Sequence, residues 1–346
     1  MSVFTADEST VVLAIETSCD ETAASLVMGG NDVLSSIVSS QIDIHARFGG
    51  VVPEVASRAH LESIVPVVRQ AFDEAGILPS RVDLVAATAG PGLIGALLVG
   101  VSAAKSLALA WDKPFIGVNH LEAHLYAGLL DDPTLEFPLV VLLVSGGHTM
   151  IIEMRGHGDY TILGRTIDDA AGEAYDKVAR YLDLGYPGGP VIDRVSADGD
   201  PASIDFPRAM MHDGLDFSFS GLKTAVVNHV RKNTGVRNVD VAASFQAAVV
   251  DVLCAKTLKA AQQVGARGVV LGGGVAANSL LRSEMQRRGG EAGLKVALPS
   301  RAMCTDNAAM IASAAWHRVR TDGPMGLDCG AWPNLKLSEV PRSTAS

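Results

Sequence analysis

Cysteine is scarce. Cys19, Cys254, Cys304 and Cys329 are scattered without paired spacing. That excludes a disulfide-stapled scaffold or a zinc knuckle and points to a reducing compartment. Positive charge is short as well: 28 Lys and Arg stand against 38 Asp and Glu, for a net charge of −10. Nucleic-acid binders usually carry the opposite sign. Contact with a nucleic acid would need a local basic strip or a basic partner. Arg282, Arg287, Arg288 and Arg301 are candidates for such a strip, with solvated surface as the plain alternative. Only 19% of residues are charged and 5% aromatic, whereas 48% are hydrophobic, which describes a filled globule and not a disordered chain. No charged start with an apolar core and a cleavage site opens the sequence, so no signal peptide is read. A long apolar run is missing too. The nearest, from Leu93, meets Lys105 and contains Gly95, Gly100 and Ser102, which predicts a buried core helix and no membrane span.

What is present is one pattern used twice. An apolar strand enters a tight polar turn and leaves it as a second apolar strand, at Val11 to Met28 and again at Leu139 to Met154. Each turn is too short for a helix and carries small and hydroxyl residues that can face an anion. The repeat suggests a duplicated fold with a phosphate-bearing ligand between two lobes. The 346 residues suffice for two such lobes. The 35 glycines cluster at 49–50, 146–147, 188–189 and 272–274, which suggests close backbone approach to ligands. Periodicity places a first α/β lobe over residues 10–130 and a second over 137–304, with a helical, loop-rich insertion at about 165–235. Asp131-Asp132-Pro133 reads as a hinge. A helix over about 305–322 is expected to pack back on the first lobe. Residues 1–9 read as a frayed end and 338–346 as a disordered tail.

Several turns carry chemistry. Residues 16–22 put Asp20 and Glu21 beside hydroxyls; they could hold a cation, orient a reactant, or form a polar surface turn. Ser145, Gly146 and Gly147 make the matching turn of the second hairpin. Gly272 to Asn278 lies between a strand and a helix, where open α/β sheets bind nucleotides. It has neither G-x-G-x-x-G nor Walker spacing. His120 and His124 are four apart on an expected helix and share a face, as two ligands of one metal or as ordinary histidines would. Leu121 stands where a zinc protease needs its glutamate, and Glu122 points away. Asp169, Glu173 and Asp176 are helix-spaced, with a solvated face as the default. Thr305 or Asp306 would cap the final helix, and Asp306 could instead be a third metal ligand.

Taken together, AIETSCDET (14–22), GGVVPEVASRAH (49–60), TAGPGLIGALLVG (88–100), LLVSGGHT (142–149), IDDAAGEAYDKVAR (167–180), YPGGP (186–190), GGGVAAN (272–278) and CTDNAAMIA (304–312) resemble the bacterial tRNA adenosine threonylcarbamoyltransferases. The resemblance spans about residues 11–337. It implies a duplicated two-lobed α/β fold of the actin, Hsp70 and sugar-kinase (ASKHA) type. It implies transfer of a threonylcarbamoyl group from threonylcarbamoyl-AMP to the N6 amine of adenosine 37 in tRNAs reading codons that start with A. It implies one divalent metal, Fe2+ or Zn2+, on His120, His124 and Asp306. Donor and nucleotide (ATP or ADP in the same cleft) would lie against Leu143, Val144, Ser145, Gly146, Gly147, Asp176, Gly189, Asp193 and Asn278, with Asp20 and Glu21 near the reacting group. Implied partners are tRNA, a non-catalytic paralogue (TsaB) and a small ATPase (TsaE), in the cytoplasm. Ala123 replaces the family's common Gly, a change that suits a helix. A small-molecule kinase of the same fold, or a non-catalytic scaffold, are the competing classes. The first does not require the histidine pair and the second would be expected to lack the metal triad.

Overall fold

A computed structural model describes residues 4–233 and 235–339. In chain order the elements begin with β1 (Val11–Glu16), β2 (Glu21–Met28), β3 (Asp32–Ser40), α1 (Ile42–Ala46), α2 (Pro53–Ala75), β4 (Leu84–Gly90), α3 (Ile94–Trp111), β5 (Phe115–Asn119) and α4 (His120–Asp131). Then come β6 (Leu139–Val144), β7 (Thr149–Gly156), β8 (Asp159–Arg165), α5 (Ala171–Tyr181), α6 (Gly188–Ser196), α7 (Ser220–Lys232) and α8 (Asn238–Val264). The chain closes with β9 (Gly268–Gly272), α9 (Ser279–Glu291), β10 (Lys295–Ala297), α10 (Arg301–Cys304) and α11 (Ala308–Asp322). Two compact units result. One runs to Pro133 and resumes at Asp306; the other is Thr134–Thr305.

The first unit holds a five-stranded sheet in the order β3-β2-β1-β4-β5. β1, β2 and β3 form an antiparallel meander, and β4 and β5 run parallel to β1. Val11, Leu13 and Ile15 join a core with Ile64 of α2 and with Val101 and Ala104 of α3. Val12 and Ala14, on the other face by the two-residue strand period, are equally buried, and α11 packs against β1 and β2. A strand covered on both faces explains why β1 is apolar without alternation up to its last residue.

The second unit repeats the plan. Its sheet order is β8-β7-β6-β9-β10, with β6, β7 and β8 antiparallel and β9 and β10 parallel to β6. Strand order and strand senses match the first sheet one for one. That is the duplicated fold which the paired hairpins predict.

Four local expectations need correction. β8 completes the second sheet although no strand is read there from sequence. Its residues alternate only weakly in burial, so the period-two signal is faint. Residues 7–10 form a turn, not a frayed end: Thr10 N–H donates to the Asp7 carbonyl, which also accepts from Trp316 Nε1 at 2.9 Å. The expected tail 338–346 begins inside a 3-10 turn at Leu337–Glu339; residues 340–346 lie outside the described residues. Finally, α3 is only partly a core helix, because Ile94, Leu98 and Leu109 are exposed. Among the described residues, α3 and α8 are long and apolar enough to cross a membrane; α8 is largely enclosed by its own unit.

Candidate metal centre and glycine loops

In the first unit, β5 passes directly into α4. Asn119 caps that helix, its Oδ1 accepting from the N–H groups of Leu121 and Glu122. His120 is therefore the first helical residue and His124 lies one turn on, with ring centroids 4.7 Å apart. Both side chains are almost wholly buried. Asp306 comes from the other end of the unit's sequence. Its Oδ1 lies 3.2 Å from His124 Nε2 and 3.5 Å from His120 Nε2. The capping expectation for Thr305 or Asp306 fails: Asn307 accepts from Met310 N–H and caps α11. The Asp306 carboxylate reaches the histidines instead.

The three residues fit a metal. Their donor atoms all lie within 4.8 Å of one another. Ligands about 2.0–2.1 Å from a tetrahedral ion are themselves a little over 3 Å apart, which is the spacing of the carboxylate oxygen from each imidazole. Two imidazole nitrogens and one carboxylate oxygen suit iron or zinc. Glu16 supplies what such a site needs behind its ligand. Its fully buried carboxylate is 3.0 Å from His120 Nδ1 and also accepts from Ser18 N–H and the Thr88 hydroxyl. A proton held on Nδ1 leaves Nε2 as the ligand atom. His124 has no such support, and its buried Nδ1 has no hydrogen-bond partner among the described residues. Sequence reading places Glu16 in the polar turn and misses this role. The available signal is a carboxylate ending a wholly buried strand.

Charges follow from this packing. Burial works against a charged His120, yet Asp306 and Glu16 outweigh it and raise its pKa to about 9. Burial also works against an ionised Glu16, but the charge and hydrogen bond of His120 hold its carboxyl below the usual range. Burial lowers the pKa of His124 and keeps its ring neutral. Glu21, at the start of β2, is pushed up to about 9 by burial and by the carboxylates of Asp306 and Asp20. The same acids and burial push the Cys19 thiol up, so it offers no thiolate nucleophile. Glu122 is buried against Arg318 at 3.0 Å and faces away from the histidines.

The second unit gathers its own candidates at one end of its sheet. Leu143 and Val144 end β6, and Ser145 turns the chain, its Oγ accepting from His148 N–H at 3.2 Å. Gly273, with φ +85°, follows β9; a Cβ there would meet the Val144 carbonyl at 2.5 Å, so only glycine fits. A Cβ on Gly172, in the first turn of α5, would meet the Ser145 carbonyl at 2.6 Å. Asp176 receives Gly188 N–H at 2.7 Å, which ties α5 to the first turn of α6; burial pushes its carboxyl up. Asp193 of α6 accepts from Ser279 N–H and Oγ at the start of α9. Asn278 caps α9 through Leu281 N–H and donates to Gln246 at 2.8 Å. Side-chain carbons added to Gly146, Gly147, Gly189 or Gly274 would meet nothing described within 4 Å. Open space beside glycines near helix N-termini leaves room for a phosphate ester.

The candidate basic strip does not hold together. Arg282 donates inward to the carbonyls of Pro299, Leu298 and Ala276. Arg287 pairs with Glu284 and Glu291, and Arg288 with Glu284 and Asp251. Arg282 is structural, whereas Arg287 and Arg288 are ion-paired, Arg287 on the solvated surface as the plain alternative expects. Asp169 and Glu173 share Lys177, as the solvated-face default expects, whereas Asp176 turns inward to Gly188 N–H.

Comparison with known proteins adds the family. The model for "tRNA N6-adenosine threonylcarbamoyltransferase" matches residues 32–313. The protein of that name from Symbiobacterium thermophilum is 54% identical over 331 residues, covering 94% of this chain and 97% of that one. The one from Moorella thermoacetica is 55% identical over 334 residues, covering 95% and 98%. Among solved structures, full-length HypF in its phosphate- and nucleotide-bound form superposes with TM-score 0.63 at 14% identity, over 93% of this chain and 48% of that one. The activator of 2-hydroxyisocaproyl-CoA dehydratase from Clostridium difficile, with bound ADPNP, gives TM-score 0.51 at 15% identity, over 89% and 94%. These two likenesses concern the fold alone.

Proposed function

The chain belongs to the tRNA N6-adenosine threonylcarbamoyltransferase family, and on that premise we propose how its residues divide the work of making the threonylcarbamoyl modification at adenosine 37 of tRNA. In the reaction the adenosine N6 attacks the carbamoyl carbonyl carbon, an N–C bond forms, and the C–O bond to the phosphate breaks. AMP leaves with the bonding electrons, and N6 gives up one proton. The donor in this reading is threonylcarbamoyl-AMP.

His120, His124 and Asp306 would hold one divalent ion, iron or zinc, with Glu16 fixing the ring of His120. That buried group is the observation that carries the reading. A bound ion of this kind supplies Lewis acidity toward an oxygen. The turn at Leu143, Val144, Ser145, Gly146 and Gly147 would receive the donor phosphate, with its glycines allowing close approach. Asp176, Gly189, Asp193 and Asn278 would border the nucleotide, and ATP or ADP would compete for the same place. Asp20 and Glu21 are the candidates to take the N6 proton. Burial and the neighbouring carboxylates keep Glu21 protonated up to about 9, so it would serve as base only where a bound cation offsets those carboxylates.

tRNA is the acceptor, yet Arg282, Arg287 and Arg288 are already paired within the protein, so tRNA affinity would come largely from partners. The exposed face of α2 and α3 supports a partner paralogue (TsaB). Leu61, Val65, Ile94 and Leu98 are exposed there. The helices run side by side, with Phe72 against Trp111 at one end and Ser57 against Gly95 at the other. Exposed apolar side chains on two neighbouring helices would suit a docking partner. The small ATPase (TsaE) and a cytoplasmic setting complete the same reading.

The test is single-turnover transfer from labelled threonylcarbamoyl-AMP to unmodified tRNA, with and without the paralogue and ATPase. Transfer by wild type and its loss in the His120→Ala/His124→Ala double variant is the expected result. Equal transfer by both would remove the metal group from the mechanism. ATP turnover on a small acceptor, with no tRNA product, would favour a kinase instead.

A further inference from the structure

The turn that carries Asp20 is clamped through three successive carbonyls. Ser18 O accepts from Leu93 N–H at 2.8 Å, and Asp20 O from Gln41 N–H at 2.9 Å. Between them, Cys19 O lies 3.0 Å from Nε2 of His60. Two of the three clamps are backbone groups. The middle one is a side chain, projected from α2 and fully buried.

Behind His60 runs a chain of hydrogen bonds with only one consistent direction. Val52 N–H can only donate, and it points at His45 Nδ1, 3.3 Å away. His45 therefore carries its proton on Nε2 and donates to Gln41 Oε1 at 3.1 Å. The Gln41 amide nitrogen then donates to His60 Nδ1 at 3.3 Å. The Thr22 hydroxyl, 2.8 Å from the same nitrogen, donates there as well. With Nδ1 accepting, the His60 proton sits on Nε2 and faces Cys19 O. Thr22, Gln41, His45 and His60 are all buried. Burial lowers the pKa of His60, which keeps the ring in this neutral form.

A polar core of two imidazoles, an amide and a hydroxyl is a costly way to fill space between α2 and β2. Apolar side chains would fill it as stably, so such a network makes sense where it fixes one geometry. The segment 49–60, which the family resemblance marks without giving it a task, holds one end of this chain.

We propose that His60 is a positioning residue for the transfer reaction. Through the Cys19 carbonyl it sets the direction in which Asp20 and Glu21 leave the turn, and His45, Gln41 and Thr22 fix the tautomer that lets it do so. The inference rests on the reading that Asp20 and Glu21 lie at the reacting group.

The experiment compares wild type, His60→Leu and His60→Gln in the transfer assay with partners and metal supplied, together with metal affinity. A glutamine amide nitrogen can take the place of imidazole Nε2; leucine cannot. Misplacing a reacting group by about 1 Å costs on the order of 10²-fold in rate, so His60→Leu should lose about 10- to 100-fold in kcat. KM for tRNA and metal affinity should stay within about twofold, and His60→Gln should recover most of kcat. Full kcat in His60→Leu overturns the inference. So does a loss shared equally by both variants and accompanied by loss of metal affinity, which would mark general disruption. Nitrogen-15 spectra of wild type read the tautomer without any variant: a proton on His60 Nε2 supports the proposal, and one on Nδ1 overturns it. Failure of wild type to transfer at all would strike the functional reading itself, and this inference with it, whatever the spectra show.

Discussion

The sharpest consequence of the metal group is a pH dependence of metal affinity. His120 titrates at about 9, because the carboxylates of Asp306 and Glu16 stabilise its charged form against burial. A metal must displace the Nε2 proton, so binding releases one proton at any pH below that value. Affinity should therefore rise about tenfold per pH unit from pH 6 toward 9 and then level off. At pH 7 the competing proton costs about 10²-fold, or ~2.7 kcal/mol. His124 adds no slope over this range, because its pKa is lowered from 6.5. Glu21, raised to about 9 beside Asp306, can add a second proton, and Glu21→Gln separates the two contributions. The decisive variant is Glu16→Gln. It removes one of the two carboxylates that raise His120, so the rise in affinity should level off at a lower pH. It also weakens the hold on the ring, which typically costs about 10- to 100-fold in affinity at pH 9. Competition titrations with Zn2+ and, anaerobically, Fe2+ at four pH values measure both effects. A flat wild-type profile would refute the charge assignment. A Glu16→Gln profile parallel to wild type would refute the coupling of Glu16 to His120.

Three further outcomes are expected. For the metal-free protein, the folded state holds the Glu21 proton between its unfolded value near 4.5 and its folded value of about 9, so stability is full below the first and falls as pH rises through the second. Glu21→Gln should then be more stable than wild type by on the order of 2 kcal/mol at pH 8, allowing for solvent relaxation, and little different at pH 4, as thermal melts of chelated protein would read. Asn307→Ala should lose about 1 kcal/mol of cap energy and also weaken metal binding, because Asp306 is then drawn to cap α11; unchanged metal affinity would show the two roles to be independent. Arg282→Ala should destabilise by about 2 kcal/mol, since it strips charged donors from several carbonyls, while tRNA affinity of the folded variant stays at the wild-type level. A selective loss of tRNA binding would restore Arg282 to the surface strip.

The duplicated sheet is legible in the sequence because its first two strands in each half are apolar, short and joined by turns too tight for a helix. β1 and β6 are buried at every position, so they stand out against any background. β8 is not legible for the opposite reason: it is an edge strand, mostly half-buried, with two register shifts against β7. The arginines mislead in a different way. Composition reports how many positive charges exist but not which are consumed by Glu284, Asp251 and the carbonyls around Arg282.

The metal group shows where local reading stops. His120 and His124 announce themselves because their spacing equals one helical turn. Asp306 leaves no local trace, and its neighbours pull the reading toward a helix cap. The structure resolves that ambiguity by one residue: Asn307 has the conformation and the reach to cap α11, and Asp306, just outside the helix, faces the histidines. Glu16 is harder still, since a charged residue at a strand end normally marks exposure. Here it marks the reverse. Burying that carboxylate is tolerable only because Ser18, Thr88 and His120 all donate to it, and a buried acid fully satisfied by a ligand histidine is stabilised most when that histidine is charged or bound to a cation. The energetic cost of placing Glu16 at the end of β1 is thus itself an argument that His120 carries positive charge or a metal.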